Sequence, residues 1–578
     1  MTFRFLGPDP LEQQIETVLG RVAAGEPPSA VEVAQVGVKE EKGRRGPGGV
    51  IIEGATENEA AATYLCAEMA CLANTPGGGA IILGIADDGQ RIGTELDPEW
   101  LRHRIWQLTE QKLTITVRVA TLDNVRILVL TTHEAMEPVR AGGKLTWRVD
   151  DHCVDVDPTT WHSGHLQRSG VDWSAMPSGH KLADVSPTAL EVARRYLKLA
   201  GDEPATDLAA ATDADLLRRL HLVDGDGRLT NAGSLLFVAT PAIGLDYIRR
   251  DAPGADSTLR VRSDRSLLEQ VWDVDQASQA SNRVVHIAEG IAHGQLRAIP
   301  MRAVREAIVN GVVHRDWLSP QPTVVEHVGD MLTVTSPGGF IGGVSPTNII
   351  THPAVPRYRS LAEAMAALRL AEREGIGVDR MVRDMLAVGQ HEPEISELDG
   401  PYVHVGLAGG EPDAQVIDFL REIEPPETRV DVDALLVLDH LTRFGWADVA
   451  TVSPVLQRPA GETQAALLRL AHARCGDEPV IVAVKGVPTS QPTAYQLGPA
   501  ARAKLAGRVA HLDTPEGRTG VILGWAQARK RVSTTEVASL TGLSVPYVGG
   551  LLNALEDEGA LAPGRQTKQG RGFFYVPA

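Results

Sequence analysis

The sequence contains no long apolar run, and its few cysteines show no metal-ligand spacing. No window approaches the ~20 consecutive apolar residues that a membrane-spanning helix needs. The acidic first residues also differ from the basic-then-apolar pattern of a secretory signal. We therefore expect a cytoplasmic protein without membrane contact, in which Cys66, Cys71, Cys153 and Cys475 are free thiols.

Positive charge is also scarce over the chain as a whole. The formal net charge is −18, which argues against a protein that coats nucleic acid indiscriminately. From Thr514 onwards, however, seven Lys and Arg outnumber five Asp and Glu. This local excess is compatible with a basic nucleic-acid reader at the C-terminal end.

The length of 578 residues exceeds a single core and predicts roughly three to five domains. Periodicity and breaker residues indicate an α+β multidomain chain. The expected segments are an N-terminal helix (1–29), an α+β domain (30–165), a helical connector (166–254), a second α+β domain (255–408), a linker between 409 and 428, and two C-terminal segments with helices followed by a strand pair (415–505 and 512–578).

The first α+β domain carries three stretches in a recognisable order: VEVAQVGVKEE (31–41), ANTPGGGAIILGIADDG (73–89) and EPVRAGGKLTWRVDD (137–151). This order resembles the AlbA-like domain shared by bacterial transcriptional regulators and the Schlafen proteins. The resemblance implies nucleic-acid binding and, in the Schlafen branch, RNA cleavage by clustered carboxylates.

The carboxylate cluster of that branch is incomplete in this sequence. The family pattern has two Glu five residues apart; the first corresponds to Glu32, but the second falls on Gly37, with Lys39 following. Metal-assisted cleavage needs several acids on one divalent ion. A nuclease would therefore require Glu32, Asp87 and Asp88 to converge.

Four cations of this domain are candidates for phosphate contacts. They are Lys39, Arg44, Arg45 and Arg148. The alternative is that Lys39 to Lys42 form a mixed, solvated surface on a domain that serves as a dimerisation or phosphate-contacting scaffold.

The segment MRAVREAIVNGVVHRDW (301–317) is the strongest motif in the chain. On a helix, Glu306 and Asn310 share one face. The Asn310 amide oxygen can ligate Mg²⁺ that bridges phosphates, while Glu306 can orient or deprotonate an attacking water. The alternative is that Glu306 pairs with Arg302 or Arg305 on the helix surface.

This segment resembles the N-box of the gyrase, heat-shock-protein-90 and histidine-kinase (GHKL) ATPase superfamily, and more narrowly the branch fused to AlbA-like domains. Two Gly-rich stretches follow in the family order, TSPGGFIGGVSPTNI (335–349) and EREGIGVDRM (372–381). The resemblance implies a Bergerat-type α/β sandwich that binds ATP with Mg²⁺. It makes Glu306 the catalytic candidate, Asn310 the metal ligand, and the nucleotide-binding set Asn310, Ser336, Gly338, Gly339, Gly342, Gly343, Gly375 and Gly377.

Two details of the same region limit this reading. The superfamily's first Gly box carries an Asp that accepts from the adenine amino group, but Ser336 to Gly339 contain no acid. Base selectivity is therefore open. His314 and Arg315 could suggest catalysis, but we expect them to dock the loop that follows the helix.

The chain ends in a winged helix-turn-helix pattern, with helices over 517–529 and 531–542, a third from 545, and the wing LAPGRQTKQGRGFFYV (561–576). In such motifs the start of the recognition helix meets base edges, while wing residues reach phosphate or the minor groove. The candidates for nucleic-acid binding are Arg529, Lys530, Arg531, Ser544, Tyr547, Arg565, Lys568 and Arg571. The alternative is a winged helix used for protein contact or dimerisation, which the acidic run at 556–558 keeps open.

The preceding segment has the same order of elements, with helices over 432–444, 446–456 and 461–474 and a strand pair near its end. Its recognition region carries few cations besides Arg458 and Arg469. We interpret it as a degenerate winged helix that mainly packs.

Three functions are compatible with these motifs. The first is an ATP-binding transcriptional regulator, in which the nucleotide site modulates binding of a homodimer to double-stranded DNA. The second is a Schlafen-like nuclease or an ATP-dependent defence factor. The third is a non-catalytic interaction scaffold.

Overall fold

The computed structural model describes residues 10–33, 35–46, 49–149, 152–158, 161–162, 172–239, 243–289, 292–371, 377–398, 401–565 and 572–578. The chain forms two compact units, Met1–Val171 and Asp172–Ala578. The architecture is mixed α+β, with several sheets. Among the described residues, no helix has the length and apolar character needed to cross a membrane.

The first unit is built on a four-stranded sheet of order β1-β2-β4-β3, in which β1 and β2 are parallel and the other pairs antiparallel. Its elements are α1 (Pro10–Ala23), α2 (Pro28–Val31), β1 (Val36–Lys39), α3 (Glu59–Asn74), β2 (Gly79–Leu83), α4 (Pro98–Leu108), β3 (Thr116–Leu122), β4 (Val125–Thr132), β5 (Thr146–Val149) and β6 (His152–Asp155).

Strand β2 is buried on both faces because helices cover both sides of the sheet. Ala80 and Ile82 pack with α1 on one side, whereas Ile81 and Leu83 pack with α3 and α4 on the other. This alternation follows from the two-residue period of a strand. The N-terminal helix that we expected within 1–29 is α1, and its apolar face is part of the core of this unit.

The cysteines correct a second expectation. Cys71 in α3 and Cys153 in β6 form a disulfide, although they are 82 residues apart in sequence. Free thiols were the wrong prediction for this pair, because scattered spacing in sequence does not reveal spatial proximity. Cys66 and Cys475 are free and buried.

The second unit begins with a helical region and continues into a six-stranded sheet of order β10-β9-β13-β14-β16-β15. Its first elements are β7 (Pro177–Lys181), α5 (Pro187–Ala200), α6 (Glu203–Ala210), α7 (Asp213–Arg219), β8 (Arg228–Thr230), α8 (Asn231–Phe237), β9 (Leu245–Arg250), β10 (Ser257–Val261), α9 (Leu267–Ser281), β11 (Val284–Glu289) and β12 (Ala292–Arg297). They are followed by α10 (Met301–Val313), β13 (Thr323–Val328), β14 (Met331–Pro337), α11 (Arg359–Ala367), α12 (Gly377–Leu386), β15 (Glu394–Leu398) and β16 (Tyr402–Ala408).

Helices α9, α10 and α12 share one apolar core with the six-stranded sheet. Strand β9 belongs to this sheet, since it pairs in parallel with β13. The second α+β domain therefore begins before the predicted boundary at 255. The sequence does not mark this start, because its composition does not change between the preceding helices and β9.

The C-terminal part contains α13 (Ala414–Glu422), β17 (Ile423–Glu424), α14 (Val432–Phe444), α15 (Val449–Leu456), α16 (Ala460–His472), β18 (Arg474–Cys475), β19 (Glu478–Pro479), β20 (Ile481–Ala483), β21 (Tyr495–Leu497), α17 (Pro499–Lys504) and α18 (Ala506–Val509). It ends with α19 (Pro515–Arg529), α20 (Thr534–Thr541), α21 (Val545–Asp557), β22 (Leu561–Pro563) and β23 (Tyr575–Pro577), here called the terminal module. One continuous core joins all of these segments. The stretch expected as a linker contains α13, whose Phe419 and Leu420 are buried in that core.

Candidate functional site

A cavity of about 760 Å³ lies in the second unit, against the central sheet. Its lining includes residues of α10, the end of β14, the loop before α11, α11 itself and the start of α12. Six of the predicted ligand-binding residues line it: Glu306, Asn310, Ser336, Gly338, Gly339 and Gly377. Gly375 lies outside the described residues.

Glu306 and Asn310 are positioned by the amphipathic helix α10. Its apolar side chains, among them Val309 and Val312, are buried in the core, which turns the two polar residues toward the cavity. At Gly377 a Cβ atom would lie 2.8 Å from Glu306 Oε2 and 3.3 Å from Asn310 Nδ2. Glycine therefore lets α12 begin close to this pair without displacing the end of the Glu306 side chain.

The cations that were the alternative partners of Glu306 lie beside other groups. Arg302 is 3.9 Å from Asp384, and Arg305 donates to the carbonyl oxygen of Arg369 at 2.6 Å. Arg302 and Arg305 are therefore engaged elsewhere, and Glu306 lines the cavity.

Ser336 stabilises the junction between α10 and the sheet. Its hydroxyl donates to the carbonyl oxygen of Gly311 at 2.6 Å and lies 3.2 Å from the Thr323 hydroxyl. A Cβ atom on Gly311 would come within 2.8 Å of Val334. The hydroxyl proton of Ser336 is engaged in this junction, and the residue also lines the cavity.

The Gly-rich loop after β14 uses glycine for its backbone conformation. Gly338, Gly342 and Gly343 have φ angles of +97°, +62° and +85°, which disfavour other residues. Gly342 and Gly343 form a turn between the lining residues Ile341 and Val344. These two glycines shape the loop, and our expectation that they bind the nucleotide remains a prediction.

Arg357 is a residue of the site that the motifs did not indicate. Its Nη2 donates to the carbonyl oxygen of Gly339 at 2.7 Å, and its Nε donates to that of His314 at 3.3 Å. Burial lowers the pKa of this guanidinium from its usual value. One cation thus connects the C-terminal end of α10 to the Gly-rich loop.

His314 and Arg315 have different environments at the end of α10. Arg315 donates to the carbonyl oxygens of Ser319 and Gln321, as expected for a residue that docks the following loop. His314 lines the cavity. Burial, and then the charge of Arg357, lowers the pKa of His314 to about 4, so its imidazole is neutral at neutral pH.

The terminal module exposes part of its predicted nucleic-acid surface. A capping box of Ser533 and Glu536 opens α20. Ser544 lies at the N-cap position of α21 without a side-chain capping hydrogen bond, and Tyr547 in the first turn is 56% exposed. The guanidinium carbons of Arg531, which precedes α20, and of Arg565 in the hairpin lie 4.7 Å and 5.6 Å from the ring centre of Phe574. Arg531 is 20% exposed and also lies 3.7 Å from the buried Glu536. Lys530 is exposed, whereas Lys568 and Arg571 lie outside the described residues.

Arg529 does not belong to this surface, which corrects our prediction. Its side chain is 3% exposed and forms an ion pair with Asp448, the residue that caps α15. The guanidinium also lies over the ring of Trp525 at 4.8 Å. Arg529 therefore joins the terminal module to the preceding segment.

The four cations predicted in the first unit are close to carboxylates or buried. Arg44 is buried, donates to Ile52, and lies 3.6 Å from Glu41. Lys39 pairs with Glu32 at 3.1 Å, and Arg45 with Glu40 at 2.8 Å. Arg148 is only 7% exposed. The prediction that Arg44 and Arg148 contact phosphate is therefore corrected, because nucleic acid does not reach buried guanidinium groups.

Two of the three carboxylates that a nuclease would require, Glu32 and Asp88, are engaged by other groups. Glu32 accepts from the backbone N–H of Val38, while Asp88 lies 3.6 Å from Arg45. The Arg148 guanidinium occupies the space over Gly37, where a Cβ atom would lie 3.3 Å from it. Among the described residues, no group of three His, Cys, Asp or Glu could hold a metal ion.

Comparisons with known proteins define the class of this chain. The family model for the Schlafen AlbA_2 domain matches residues 51–157. A second model, HATPase_c_4, described as "Putative ATP-dependent DNA helicase recG C-terminal", matches residues 321–405. The chain therefore combines an AlbA-like domain with an ATPase-type domain.

A solved structure extends this likeness over almost the whole chain. The DIP2311 protein from Corynebacterium diphtheriae is 31% identical, with a TM-score of 0.62, and the match covers 98% of this chain and 99% of that one. The chain belongs to the same family as DIP2311. No curated protein matches it.

Proposed function

We propose that this protein is an ATP-binding, DNA-binding transcriptional regulator, in which occupancy of the central cavity modulates nucleic-acid binding by a C-terminal winged helix. The carrying observation is that Glu306, Asn310 and Gly377 meet at one wall of the cavity. The presence of AlbA-like and ATPase-type domains in one chain supports the proposal. We place its action in the cytoplasm.

The donor set at this wall fits a nucleotide bound with Mg²⁺, in a domain of the GHKL type. Asn310 would ligate the ion through its amide oxygen, which is a ligand suited to a hard cation. The ion supplies neutralisation of phosphate charge when bound. Glu306, one turn earlier, is placed to orient a water and accept its proton. Gly377 leaves the room that these two side chains need.

The base would lie against the apolar part of the cavity. Val334, Met381, Ile395, Val403 and Val405 contribute to the lining there. Apolar side chains offer no hydrogen bonds that distinguish one base from another, and Ser336 to Gly339 contain no carboxylate to read an adenine amino group. We therefore expect ATP to bind with limited selectivity over other purine nucleotides.

The terminal module is the proposed winged helix-turn-helix, with α20 and α21 as the two helices of the motif. Ser544 and Tyr547 stand at the exposed start of α21, where recognition helices meet base edges. Lys530, Arg531 and Arg565 are placed to contact the DNA backbone. A homodimer would present two copies of α21 to two half-sites on double-stranded DNA.

Two measurements on the full-length chain test this function. Calorimetric titration with Mg-ATP is expected to show one site, weakened at least tenfold in Asn310→Ala; Glu306→Ala should keep binding but lose hydrolysis. Salt-titrated gel shifts on a selected duplex should show specific binding that changes when Mg-ATP is added. No Mg-ATP binding, or no preference for any duplex, would reject the proposal.

A further inference from the structure

A residue far from the sequence motifs holds one wall of the cavity. Gln457 follows α15 and has a φ of 54°, in the left-handed region. Its Nε2 donates to the carbonyl oxygen of Pro346 at 2.9 Å, and its Oε1 accepts from the backbone N–H of Ile350 at 2.8 Å. Its own carbonyl oxygen accepts from the Thr351 hydroxyl at 3.0 Å.

The loop that Gln457 contacts is the loop between β14 and α11. Val344, Ile349 and His352 of this loop line the cavity. The loop is braced internally by Asn348, which accepts from the Ser345 N–H and donates to the Gly343 carbonyl. Gln457 therefore contacts this loop on the side away from the cavity, while the other side of the loop would face the nucleotide.

The opposite end of the same short helix is connected to the terminal module. Asp448 caps α15 by accepting from the N–H of Thr451 at 3.0 Å, and it also forms the buried ion pair with Arg529. Arg529 ends α19 and donates to the Pro492 carbonyl at 2.6 Å. Helix α15 spans Val449–Leu456, which is roughly 12 Å at the rise of an α-helix.

We infer that Gln457 is a positioning residue of the nucleotide site, and that α15 transmits occupancy of the cavity to the terminal module. This inference rests on the proposed function. A nucleotide that orders the loop at 346–352 favours the geometry in which Gln457 makes all three hydrogen bonds. Since α15 carries Asp448 at its other end, the same preference acts on Arg529 and α19.

Glutamine is suited to this position because its amide both donates and accepts. Glutamate would keep the bond from Ile350 N–H but could only repel the carbonyl of Pro346. Glycine would remove the side chain and still tolerate the left-handed backbone. Gln457→Gly therefore breaks the side-chain contacts with little risk to folding.

The test is the mutual effect of the two ligands on the full-length chain. We measure the Kd of Mg-ATP by calorimetry with and without a duplex that the wild type binds, and the Kd of that duplex with and without Mg-ATP. Coupling between sites is reciprocal and is commonly 5- to 150-fold. We expect a factor of about 5 or more in the wild type, equal in both directions.

Three variants separate the steps of the inference. Gln457→Gly should weaken Mg-ATP binding and bring the coupling factor close to 1, whereas Gln457→Glu should have an intermediate effect. Asp448→Asn keeps a capping side chain but removes the charge beside Arg529; it should lose coupling while Mg-ATP alone binds as in the wild type. Gln464→Ala on α16 is the matched control and should change neither quantity.

The outcomes distinguish the inference from the function on which it rests. If the wild type binds both ligands but Gln457→Gly keeps the wild-type affinity and coupling factor, the inference is wrong and the function stands. If the wild type binds no Mg-ATP, the proposed function fails and the inference fails with it.

Discussion

The guanidinium of Arg357 donates to the carbonyl oxygen of Gly339 at 2.7 Å and so fixes the Gly-rich loop against the end of α10. Removing it leaves this acceptor and that of His314 without a charged donor. We expect Arg357→Ala to lower the free energy of unfolding by about 1–3 kcal/mol and to weaken Mg-ATP binding. Chemical denaturation and calorimetry measure both; Arg218→Ala, on an exposed helix surface, is the control. Unchanged binding in a folded Arg357→Ala protein would contradict this role.

Gly377→Ala tests whether the start of α12 closes the site. The added methyl group would lie 2.8 Å from Glu306 Oε2 and 3.3 Å from Asn310 Nδ2, so both side chains would have to shift from their positions in the cavity. Alanine is otherwise the better helix former, so the fold should persist while Mg-ATP binding weakens tenfold or more. Gly461→Ala on α16 has open space around the new Cβ and should bind normally. Equal affinities in the two variants would place the ligand elsewhere.

A buried histidine makes the stability of the second unit depend on pH. His327 is 1% exposed and lies 3.2 Å from the hydroxyl of Tyr247. Burial, and then Arg249, lowers its pKa from 6.5 to about 4. The unfolded chain therefore takes up a proton between these pH values that the folded chain does not. The free energy of unfolding should fall by about 3 kcal/mol as the pH drops from 6.5 to 4.

The comparison with His327→Gln isolates this contribution from carboxylate titration. The variant should lose part of the pH dependence measured by urea denaturation, whereas His472→Gln, at an exposed position, should follow the wild type. Parallel curves for all three proteins would show that His327 is protonated in the folded state.

Reduction should selectively loosen the first unit. Cys71 and Cys153 close a loop of 82 residues, for which chain entropy gives about 4 kcal/mol of stabilisation. Reductant or Cys153→Ser should lower the melting temperature of the first unit, and Cys475→Ser should leave that temperature unchanged. A maleimide label added after mild reduction should reach the exposed Cys153 before the buried Cys66. Melting curves that are the same with and without reductant would contradict the disulfide.

Neighbouring cations of the terminal module should respond differently. Lys530 is exposed, so Lys530→Gln should reduce the slope of log Kobs against log salt for DNA by about 1 without loss of stability. Arg529→Gln breaks a buried ion pair and should cost about 3–5 kcal/mol. Gel shifts over a salt series, together with denaturation, measure both effects. A changed salt slope with unchanged stability in Arg529→Gln would restore Arg529 as a phosphate contact.

The sequence was sufficient where the physical signal is local. The helix over 432–444 is α14, because its apolar period and its Asp431 cap lie within one short window. Glu306 and Asn310 could be paired in advance since one helical turn separates them. The first Gly-rich stretch after β14 also predicted one wall of the cavity, because its glycines stand close together in the sequence.

Partners distant in sequence could not be found in this way. Arg357 reaches His314 across 43 residues, and Arg529 reaches Asp448 across 81. The sequence around an arginine does not reveal whether its guanidinium lies in solvent or in a buried ion pair. Arg44 and Arg148 were misassigned for this reason, because burial is a property of the packed chain.

Helix α12 takes part in two apolar cores at once. Met381 and Met385 are buried with the six-stranded sheet, whereas Val382 and Leu386 are buried with the C-terminal segments. The ATPase-type region therefore cannot be separated from the C-terminal segments without cutting through a shared apolar core. Excision of either half would expose a strip of apolar side chains to water, so we expect the two cores to unfold together.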